Sequence, residues 1–279
     1  MPELPEVETI KEALRQAVDG AVIKEITVRC RSFRIPVPDN FENLLKGGRI
    51  AKIYRIAKYV VIDIDNGYSI VWHFGMSGRV KIAPTLLEVL DKHDHIVITT
   101  TAGCLIFNDA RRFGLMICIK TPDVANYFRE RHTGIDPLDD KLDGKYLAQL
   151  LQKRKTPIKT ALLDQSLIAG IGNIYASEAL YLAKISPLRL CSDLSEKEIC
   201  LLLESVRVIL RKAIAAGGST LKDYRKPDGG MGYFQFQHNV YGKEGQKCPD
   251  CPHAACPCGG IKKIIQGRRS TYYCPHWQK

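Results

Sequence analysis

The first residues of the chain carry groups that could do covalent chemistry. Met1 precedes Pro2, and a methionine before proline is normally removed, which leaves the proline with a free secondary amine. Such an amine can attack the C1′ carbon of a sugar and form an iminium ion, which then serves as an electron sink for elimination. Glu3 could act beside it as a general acid on the sugar ring oxygen or as a proton shuttle. The alternative interpretation is that this segment is simply the start of a helix.

A second group of reactive side chains lies near the C-terminus. Five of the ten cysteines fall within residues 248–274, whereas the other five are scattered in apolar surroundings. Such clustering is typical of a metal site in a reducing cytosol rather than of a secreted disulfide framework. Residues 245–279 also contain six basic residues against one acidic residue. This local excess of charge favours a nucleic-acid partner for the cysteine-rich module.

The charge of the whole chain points to the same kind of partner. Its 279 residues include 41 Lys and Arg against 30 Asp and Glu, a formal net charge of +11. An excess of positive charge of this size suggests a polyanionic binding partner. Nucleic acid is the first candidate and an acidic membrane surface the second. The first residues are acidic, unlike a signal peptide, and no stretch reaches the roughly 18 apolar residues of a membrane span. We therefore expect a protein of the reducing cytosol, without a membrane partner.

The patterns of apolar residues predict the elements that position these groups. A first helix is predicted from Pro5 to about Val18, because Val7, Ile10 and Leu14 share a face with Val18 and proline suits a first helical turn. Apolar and polar residues then alternate over 62–65, Asn66-Gly67 supplies a hairpin turn, and a strand returns over 68–74. Further short strands are predicted at 95–101, 104–108 and 114–120. Closely spaced hairpins of this kind favour an antiparallel sandwich over about residues 1–130.

The middle of the chain has helical patterns from about residue 142 to 220. Ser195 and Glu198 form a capping box at the start of a helix, and Gly217-Gly218 ends that helix. An earlier helix is predicted from Ile174 to Leu182. Asn173 precedes it, where backbone N–H groups gather and favour a phosphate. An ordinary asparagine N-cap would explain Asn173 equally well.

The N-terminal segment Pro2-Glu3-Leu4-Pro5-Glu6-Val7-Glu8-Thr9 resembles the opening of bacterial formamidopyrimidine-DNA glycosylase, of the formamidopyrimidine-DNA glycosylase and endonuclease VIII superfamily. Further segments match in family order along almost the whole chain: Ala57-Lys58-Tyr59, Gly75-Met76-Ser77-Gly78, Lys92-His93-Asp94-His95, Arg111-Arg112-Phe113-Gly114, Gly172-Asn173-Ile174-Tyr175-Ala176-Ser177-Glu178 and Gly217-Gly218-Ser219-Thr220-Leu221-Lys222-Asp223. Any one matching segment is weak evidence for the family, but a chance match of all of them in the same order is improbable.

This resemblance implies an α+β fold of three domains. They are an N-terminal antiparallel β-sandwich with an N-terminal helix (1–130), a helix–two-turn–helix domain (131–244) and a C-terminal β-hairpin zinc finger (245–279), with DNA in the cleft between. The implied function is a bifunctional DNA glycosylase and AP lyase of base-excision repair. It would act as a monomer on double-stranded DNA, excise 8-oxoguanine and formamidopyrimidines, and cleave abasic sites by β,δ-elimination.

The resemblance also implies roles for particular residues. Pro2 is the Schiff-base nucleophile and Glu3 the acid, while Lys58 transfers protons during β-elimination. Arg269 matches the arginine at the hairpin tip that reaches phosphate and assists δ-elimination. In isolation, Lys58 would be taken for a surface lysine on a strand.

Other matched residues would contact DNA around the extruded base. Met76 is the apolar plug, Arg111 faces the estranged cytosine and Phe113 is a stacking wedge, although Met76 and Phe113 could equally be core residues. The DNA backbone would be contacted by His93, Arg154, Lys159 and Asn173. Without the resemblance, the first three would be taken for solvated basic surface residues and Asn173 for a helix N-cap. The glycine-rich segment 229–234 resembles the mobile loop that covers the everted base.

The cysteine module departs from the family pattern. The family carries two C-x2-C pairs that hold zinc, and Cys248-Pro249-Asp250-Cys251 supplies one of them. Cys274 remains from the second pair, because Trp277 stands where its partner should be. We predict one Zn²⁺ held by Cys248, Cys251, Cys258 and Cys274. Three alternatives for the fourth ligand stay open, namely Cys256, His253 and His276, as does a metal-free or redox-sensitive hairpin.

Two other functions are weighed against this one. The first is an oxidised-pyrimidine glycosylase that resembles endonuclease VIII, whose N-terminus typically reads Pro-Glu-Gly-Pro-Glu. Leu4 and the segment Arg111–Phe113 argue against it. The second is a non-catalytic protein that binds damaged DNA, for which Pro2, Glu3, Lys58 and Arg269 would be superfluous.

Overall fold

The computed structural model describes residues 1–221, 223–251 and 259–279. Two compact units are present. The first comprises Met1–Arg131 with Ile214–Gln235, and the second comprises His132–Ala213 with Phe236–Lys279. The three-domain boundaries predicted from the sequence stay a prediction.

Helix α1 (Leu4–Val18) opens the first unit. Its predicted apolar face is confirmed, because Val7, Ile10, Leu14 and Val18 are all buried. The backbone N–H of Glu3, just before the helix, donates to the Glu6 carboxylate at 2.8 Å. This bond satisfies a backbone donor at the start of the helix, where no helical partner exists.

Eight strands and two further short helices follow in the first unit. They are β1 (Ile23–Val28), α2 (Phe41–Leu45), β2 (Ile50–Ile56), β3 (Tyr59–Ile64), β4 (Tyr68–His73), β5 (Arg79–Ala83), β6 (Asp94–Thr100), β7 (Cys104–Asn108), β8 (Leu115–Lys120) and α3 (Val124–Glu130). The strands form two antiparallel sheets, in the orders β1-β6-β7-β5 and β2-β3-β4-β8. The predicted hairpin is confirmed: Ile62 of β3 lies opposite Ile70 of β4, and Gly67 at the turn has φ +87°.

The two sheets and α1 share one hydrophobic core. It contains Ile10 of α1, Ile98 and Phe107 of the first sheet, and Ile62 and Trp72 of the second. Because side chains alternate between the faces of a strand, β3 and β4 also present a second apolar face, and α3 covers it with Val124 and Phe128. The predicted antiparallel sandwich is therefore confirmed.

The second unit is helical and ends in a hairpin. Its elements are α4 (Gly144–Leu151), α5 (Ile158–Leu162), α6 (Asn173–Leu182), most of α7 (Glu196–Ala215), β9 (Lys262–Gln266) and β10 (Arg269–Tyr273). The predicted capping box is present: the Ser195 N–H donates to Glu198 at 2.9 Å, and the Glu198 N–H donates to the Ser195 hydroxyl at 3.3 Å. Helix α7 ends at Ala215, just before Gly217 and Gly218, which both have positive φ, so the predicted end of this helix at the two glycines is confirmed.

No helix in the described parts of the chain is both long and apolar enough to cross a membrane.

Candidate active site

The N-terminus of the first unit is enclosed by charged groups. Pro2 and Glu3 are buried, whereas Met1 is 47% exposed. Burial lowers the pKa of the Met1 amine below its usual value, with a contribution from Arg111, although Glu3 and other carboxylates act in the opposite direction. Removal of Met1 would leave the Pro2 amine in this neighbourhood. A lowered pKa keeps more of an amine neutral, which is its nucleophilic form.

Glu6 is a functional candidate that the sequence analysis did not single out. Its buried carboxylate accepts hydrogen bonds from the backbone N–H of Glu3 and from that of Ser219, both at 2.8 Å. A Cβ atom on Gly218 would lie 2.8 Å from the same carboxylate, so this position requires glycine. Glu6 thus fixes Glu3 against the 218–219 segment. Its place three residues after Glu3, as in a capping box, was the available sequence signal.

Lys58 lies in the turn between β2 and β3 and is buried, with 7% exposure, so it is not a surface lysine. Ala57 before it has φ +54°, which makes this turn tight. Burial, together with the positive charges of Lys58, Arg34 and the N-terminus, lowers the pKa of His73 to about 4. These charges therefore surround one imidazole, which is neutral at pH 7.

His73 itself was missed in the sequence analysis, although it stands two residues before Gly75-Met76-Ser77-Gly78. Its Nδ1 accepts a hydrogen bond from the Gly75 N–H at 3.0 Å. The His73 ring therefore supports the start of the loop that carries Met76.

Met76 and Phe113 are exposed, by 42% and 51% respectively, and the interpretation of both as core residues is wrong. Arg111 is exposed beside them, with its guanidinium carbon 6.0 Å from the centre of the Phe113 ring. Exposed apolar side chains next to an arginine are suited to enter a base stack, since each can contact a base face or edge. The structure thus brings the three residues predicted to fill the space of the extruded base onto neighbouring loops.

A buried aspartate joins these two loops. One Asp109 oxygen accepts from the Ser77 hydroxyl at 2.5 Å, and the other accepts from the Gly114 N–H at 2.8 Å. A Cβ atom on Gly75, which has φ +61°, would lie 2.4 Å from the Phe113 carbonyl carbon, so glycine is required at this approach. The loops of Met76 and Phe113 are therefore held in fixed register.

His93 lies next to the same aspartate. Its backbone carbonyl accepts from the Asp109 N–H at 3.1 Å, and its half-buried ring lies 6.0 Å from the His95 ring. The structure thus places His93 close to the loops of Met76 and Phe113, while its contact with DNA stays a prediction.

The glycine-rich segment 229–234 belongs to the first unit. Gly229 has φ +84°. Gly232 donates its N–H to the Thr220 hydroxyl at 2.8 Å, and a Cβ atom there would lie 2.3 Å from the Gly218 carbonyl oxygen. Tyr233 is 59% exposed. This segment is anchored to Gly218 and Thr220, on either side of Ser219, whose N–H donates to Glu6.

In the second unit, Asn173 is the first residue of α6, and Gly172 is the N-cap, so the N-cap interpretation of Asn173 is wrong. The Asn173 amide donates to the carbonyl oxygen of Ser270 in β10 at 2.8 Å. Lys159 is fully buried, and its Nζ donates to Asn173 Oδ1 at 2.5 Å and to the Thr271 hydroxyl at 2.8 Å. Lys159 is therefore not a solvated surface lysine, and a direct contact with DNA stays a prediction.

Arg154 and Arg269 line one cavity of about 350 Å³ together with Thr156, Thr160 and Asp164. Asp164 lies 3.5 Å from the Arg154 guanidinium. Two guanidinium groups and two threonine side chains around one cavity are suited to a phosphate, because arginine and hydroxyl donors match its acceptor oxygens.

The predicted metal site brings together Cys248, Cys251 and Cys274. All three are buried, and their sulfur atoms lie within 4.8 Å of one another. Three buried thiols at this spacing fit three corners of a tetrahedral zinc site. Cys256, Cys258 and His253 lie outside the described residues. His276 is exposed and does not join the group found among the described residues.

Trp277, which stands where the sequence analysis expected a second cysteine, has a packing role. Its ring lies 4.2 Å from Lys184 Nζ, and its backbone N–H donates to Cys274 Sγ at 3.3 Å. Burial raises the pKa of the Cys274 thiol. Burial also acts to raise the pKa of Cys248, but hydrogen bonds from Tyr181 and the Asp250 backbone hold it below its usual value. Of these two thiols, Cys248 therefore more readily becomes a metal-binding thiolate.

Comparison with known proteins agrees with this geometry. The family model described as the formamidopyrimidine-DNA glycosylase N-terminal domain matches residues 1–116, and the one described as the formamidopyrimidine-DNA glycosylase H2TH domain matches residues 133–225. The chain is 42% identical to a formamidopyrimidine-DNA glycosylase of Dinoroseobacter shibae and 43% identical to one of Novosphingobium aromaticivorans, over the full length of each. It is similar to a solved complex of Lactococcus lactis Fpg with DNA containing an abasic site (TM-score 0.90, 36% identity, 99% of both chains) and to MutM with DNA containing carbocyclic 8-oxo-G (TM-score 0.89, 36% identity, 100% of both chains).

Proposed function

Because this chain belongs to the formamidopyrimidine-DNA glycosylase family, we propose that it excises oxidised purines from double-stranded DNA and cleaves the resulting abasic site. The substrates are 8-oxoguanine opposite cytosine and ring-opened formamidopyrimidines, in the DNA of the bacterial cytosol and nucleoid. The observation that best supports this proposal is the enclosed N-terminus, where Pro2 and Glu3 are buried and burial lowers the pKa of the Met1 amine. A protein that only binds damage would have no use for an enclosed amine.

We assign the covalent step to Pro2. Its amine, exposed by removal of Met1, attacks C1′ of the damaged nucleotide, and the bond from C1′ to the base breaks. Glu3 supplies the proton to the sugar ring oxygen, and the ring opens to give an iminium ion. Glu6 keeps Glu3 in place by accepting its backbone N–H at 2.8 Å.

The lyase steps follow from the iminium ion. Loss of a proton from C2′ breaks the C3′–oxygen bond (β-elimination), and we assign the proton transfer to Lys58. A second elimination removes a proton from C4′, breaks the C5′–oxygen bond and releases the phosphate, and Arg269 assists it by contacting that phosphate. The cavity that Arg269 shares with Arg154 supports this role, because phosphate contacts fix the register of a protein on DNA.

Recognition of the extruded base is assigned to the exposed loops of the first unit. Met76 occupies the vacated space, Phe113 wedges the stack, and Arg111 donates to the orphaned cytosine. His93 and Asn173 contact the DNA backbone. Lys159, whose buried Nζ donates to Asn173 at 2.5 Å, acts in this proposal by holding Asn173 rather than by touching DNA.

We assign one zinc ion to the cysteine cluster, held by Cys248, Cys251, Cys274 and, as the fourth ligand, Cys258. Bound zinc supplies structural cross-linking between the knuckle at 248–251 and the strand end at Cys274. The hairpin between them carries Arg269, so this cross-link fixes the base of the hairpin.

One experiment tests the proposed activity. Duplexes that contain either 8-oxoguanine opposite cytosine or an oxidised pyrimidine are incubated with the protein, and the products are resolved on a sequencing gel. We expect excision of 8-oxoguanine with β,δ-elimination ends. Faster cleavage of the oxidised pyrimidine would favour an enzyme resembling endonuclease VIII, and binding without cleavage would favour a damage-binding protein.

A further inference from the structure

Helix α6 places a tyrosine hydroxyl against the cysteine cluster. Tyr181, near the C-terminal end of α6, is 2% exposed and packs in one hydrophobic cluster with Cys248, Cys251 and Cys274. Its hydroxyl oxygen lies 3.2 Å from Cys248 Sγ and 2.8 Å from a carboxylate oxygen of Asp250. Tyr181 thus contacts both a proposed zinc ligand and a neighbouring acid in the same C-x2-C knuckle.

The hydroxyl has one proton to share between these two acceptors. When Cys248 is a thiol, its S–H can donate to the tyrosine oxygen while the tyrosine O–H donates to Asp250. When zinc binding removes the thiol proton, the sulfur becomes an acceptor, and the tyrosine O–H is a donor within reach. A buried thiolate-rich centre carries excess negative charge, and a hydrogen bond to sulfur reduces the cost of burying that charge.

We propose that Tyr181 is a positioning residue of the metal centre, whose hydroxyl holds the Cys248 thiolate in its ligand orientation while Asp250 competes for the same proton. This inference rests on the assignment of zinc to the cysteine cluster. Groups that donate hydrogen bonds to metal ligands, or that orient them, contribute to the affinity of the site for the metal. Asp250 is exposed, so its carboxylate remains hydrated without the tyrosine, whereas the buried sulfur of Cys248 does not.

The same helix links the metal centre to the DNA-contacting residues. Asn173 lies at the first position of α6, and Glu178, in the middle, accepts backbone N–H groups of Val240 and Tyr241 at 3.0 and 2.8 Å. Asn173 in turn donates to Ser270 of β10. A change at Tyr181 therefore acts at the end of the element that also positions Asn173.

The test measures zinc affinity in the full-length protein without DNA, by competition with a chromophoric chelator. Tyr181→Phe keeps the ring and removes only the hydroxyl, and we expect zinc binding to weaken by about 10-fold to 100-fold, as for loss of other partners of metal ligands. Tyr272→Phe is the matched control. Tyr272 packs against the same cluster, and within the described part of the chain its hydroxyl makes no hydrogen bond to a cysteine. The control should bind zinc within about twofold of the unchanged protein.

Asp250→Asn tests the proposed competition between Asp250 and Cys248 for the Tyr181 hydroxyl proton, and it does so independently of how well Tyr181→Phe folds. A neutral amide accepts the tyrosine proton less strongly than a carboxylate, so we expect zinc affinity to stay the same or to rise. In the double variant the affinity should stay close to that of Tyr181→Phe alone, because the proposed competition of the Asp250 carboxylate acts through the tyrosine hydroxyl, and the Asp250 backbone contact with Cys248 is unchanged.

Three results would overturn the inference. Tyr181→Phe could bind zinc as tightly as Tyr272→Phe, which would give the tyrosine a packing role only. Asp250→Asn could lose zinc by more than about tenfold, which would make Asp250 a ligand. The unchanged protein could contain no zinc at all, which would remove the metal assignment as well. Cleavage of 8-oxoguanine DNA, measured in the same preparations, separates these failures from a failure of the proposed activity.

Discussion

Arg111 forms an ion pair with Asp223, and the two side chains approach to 3.0 Å between Nη2 and Oδ2. Their side chains are 43% and 50% exposed, so the pair contributes only about 0–1 kcal/mol. The proposed binding of Arg111 to the estranged cytosine has to exchange this carboxylate for the base edge. Asp223 would therefore oppose the proposed contact of Arg111 with the opposite base.

Asp223→Asn removes this competition. We expect duplexes with a lesion opposite cytosine to bind up to about fivefold tighter, which corresponds to about 1 kcal/mol. The measurement is a binding titration at fixed salt. The matched control is Asp228→Asn, which removes one charge from the same loop region but pairs with Lys226 at 3.6 Å instead. Equal gains in both variants would mean that net charge alone is responsible.

Arg111→Ala separates recognition from chemistry. Excision of 8-oxoguanine should fall most when cytosine is opposite, by about 10-fold or more, because a base-reading contact contributes about 1–3 kcal/mol. Cleavage of a preformed abasic site should fall less, since no base has to be extruded. Initial rates on the two substrates decide the question, with the neighbouring exposed Arg112→Ala as the control. Equal losses on both substrates would contradict a role in reading the base.

Pro2 is expected to form a covalent complex with DNA. Borohydride reduction during the reaction should trap the chain on DNA through its processed N-terminus, and Pro2→Gly should weaken strand cleavage strongly. An uncleavable N-terminal extension turns the amine into an amide, which is no longer a nucleophile, and should abolish trapping. The control carries the same extension with a protease site. Once the protease has removed that extension, trapping and strand cleavage should return. Strand cutting that survives the uncleavable extension would exclude Pro2.

Sequence patterns predicted the elements whose determinants are local. The buried face of α1, the Asn66-Gly67 turn and the capping box at Ser195 each depend on residues a few positions apart. Buried Lys159 donates a hydrogen bond to Thr271, 112 positions away. No local sequence pattern predicts a contact over such a separation.

The candidate site likewise contains residues that local motifs identified and residues that depend on long-range contacts. Asn173 and Met76 were found through motifs, while Glu6 and Asp223 were missed as functional residues. Glu6 matters because Ser219 donates to it across 213 positions, and Asp223 matters because Arg111 lies beside it across 112 positions. Such partners are set by tertiary packing, which a local pattern does not encode.

His73 should make the folded protein sensitive to acid. Burial and nearby positive charges lower its pKa to about 4 in the folded state, against about 6.5 when unfolded. Below pH 6.5 the unfolded chain binds a proton that the folded chain does not. Stability is therefore complete above pH 6.5 and falls towards pH 4, by up to about 3 kcal/mol.

His73→Asn should flatten the dependence of Tm on pH between 7 and 4, because asparagine does not titrate yet can still accept the Gly75 N–H. Thermal unfolding across this range provides the measurement, with the exposed His132→Asn as the control. If His73→Asn kept the full dependence of Tm on pH, another titrating group would be responsible for the acid sensitivity.

The metal assignment predicts which cysteines are needed for zinc. Cys274→Ser should release the ion, because serine does not replace a thiolate ligand, and should loosen the hairpin that carries Arg269. Cys258→Ser should also lose zinc, whereas Cys256→Ser should keep about one ion per chain. Metal analysis of protein purified without chelator provides the measurement. Well under one zinc per chain, in protein that still cuts 8-oxoguanine DNA, would mean that the hairpin is stable without metal.

A rescue variant makes this prediction sharper. Trp277 stands three residues after Cys274, where the family would have a cysteine, and its N–H already donates to Cys274 Sγ. Adding Trp277→Cys to Cys258→Ser should therefore recreate four thiolates and restore zinc, at the cost of the contact between the Trp277 ring and Lys184. The double variant Cys258→Ser, Trp277→Ser is the control, because it removes the same ring without adding a thiol. Zinc retained in Cys258→Ser alone would show that Cys258 is not the fourth ligand, and zinc restored in both double variants would show that loss of the Trp277 ring, rather than the added thiol, causes the recovery.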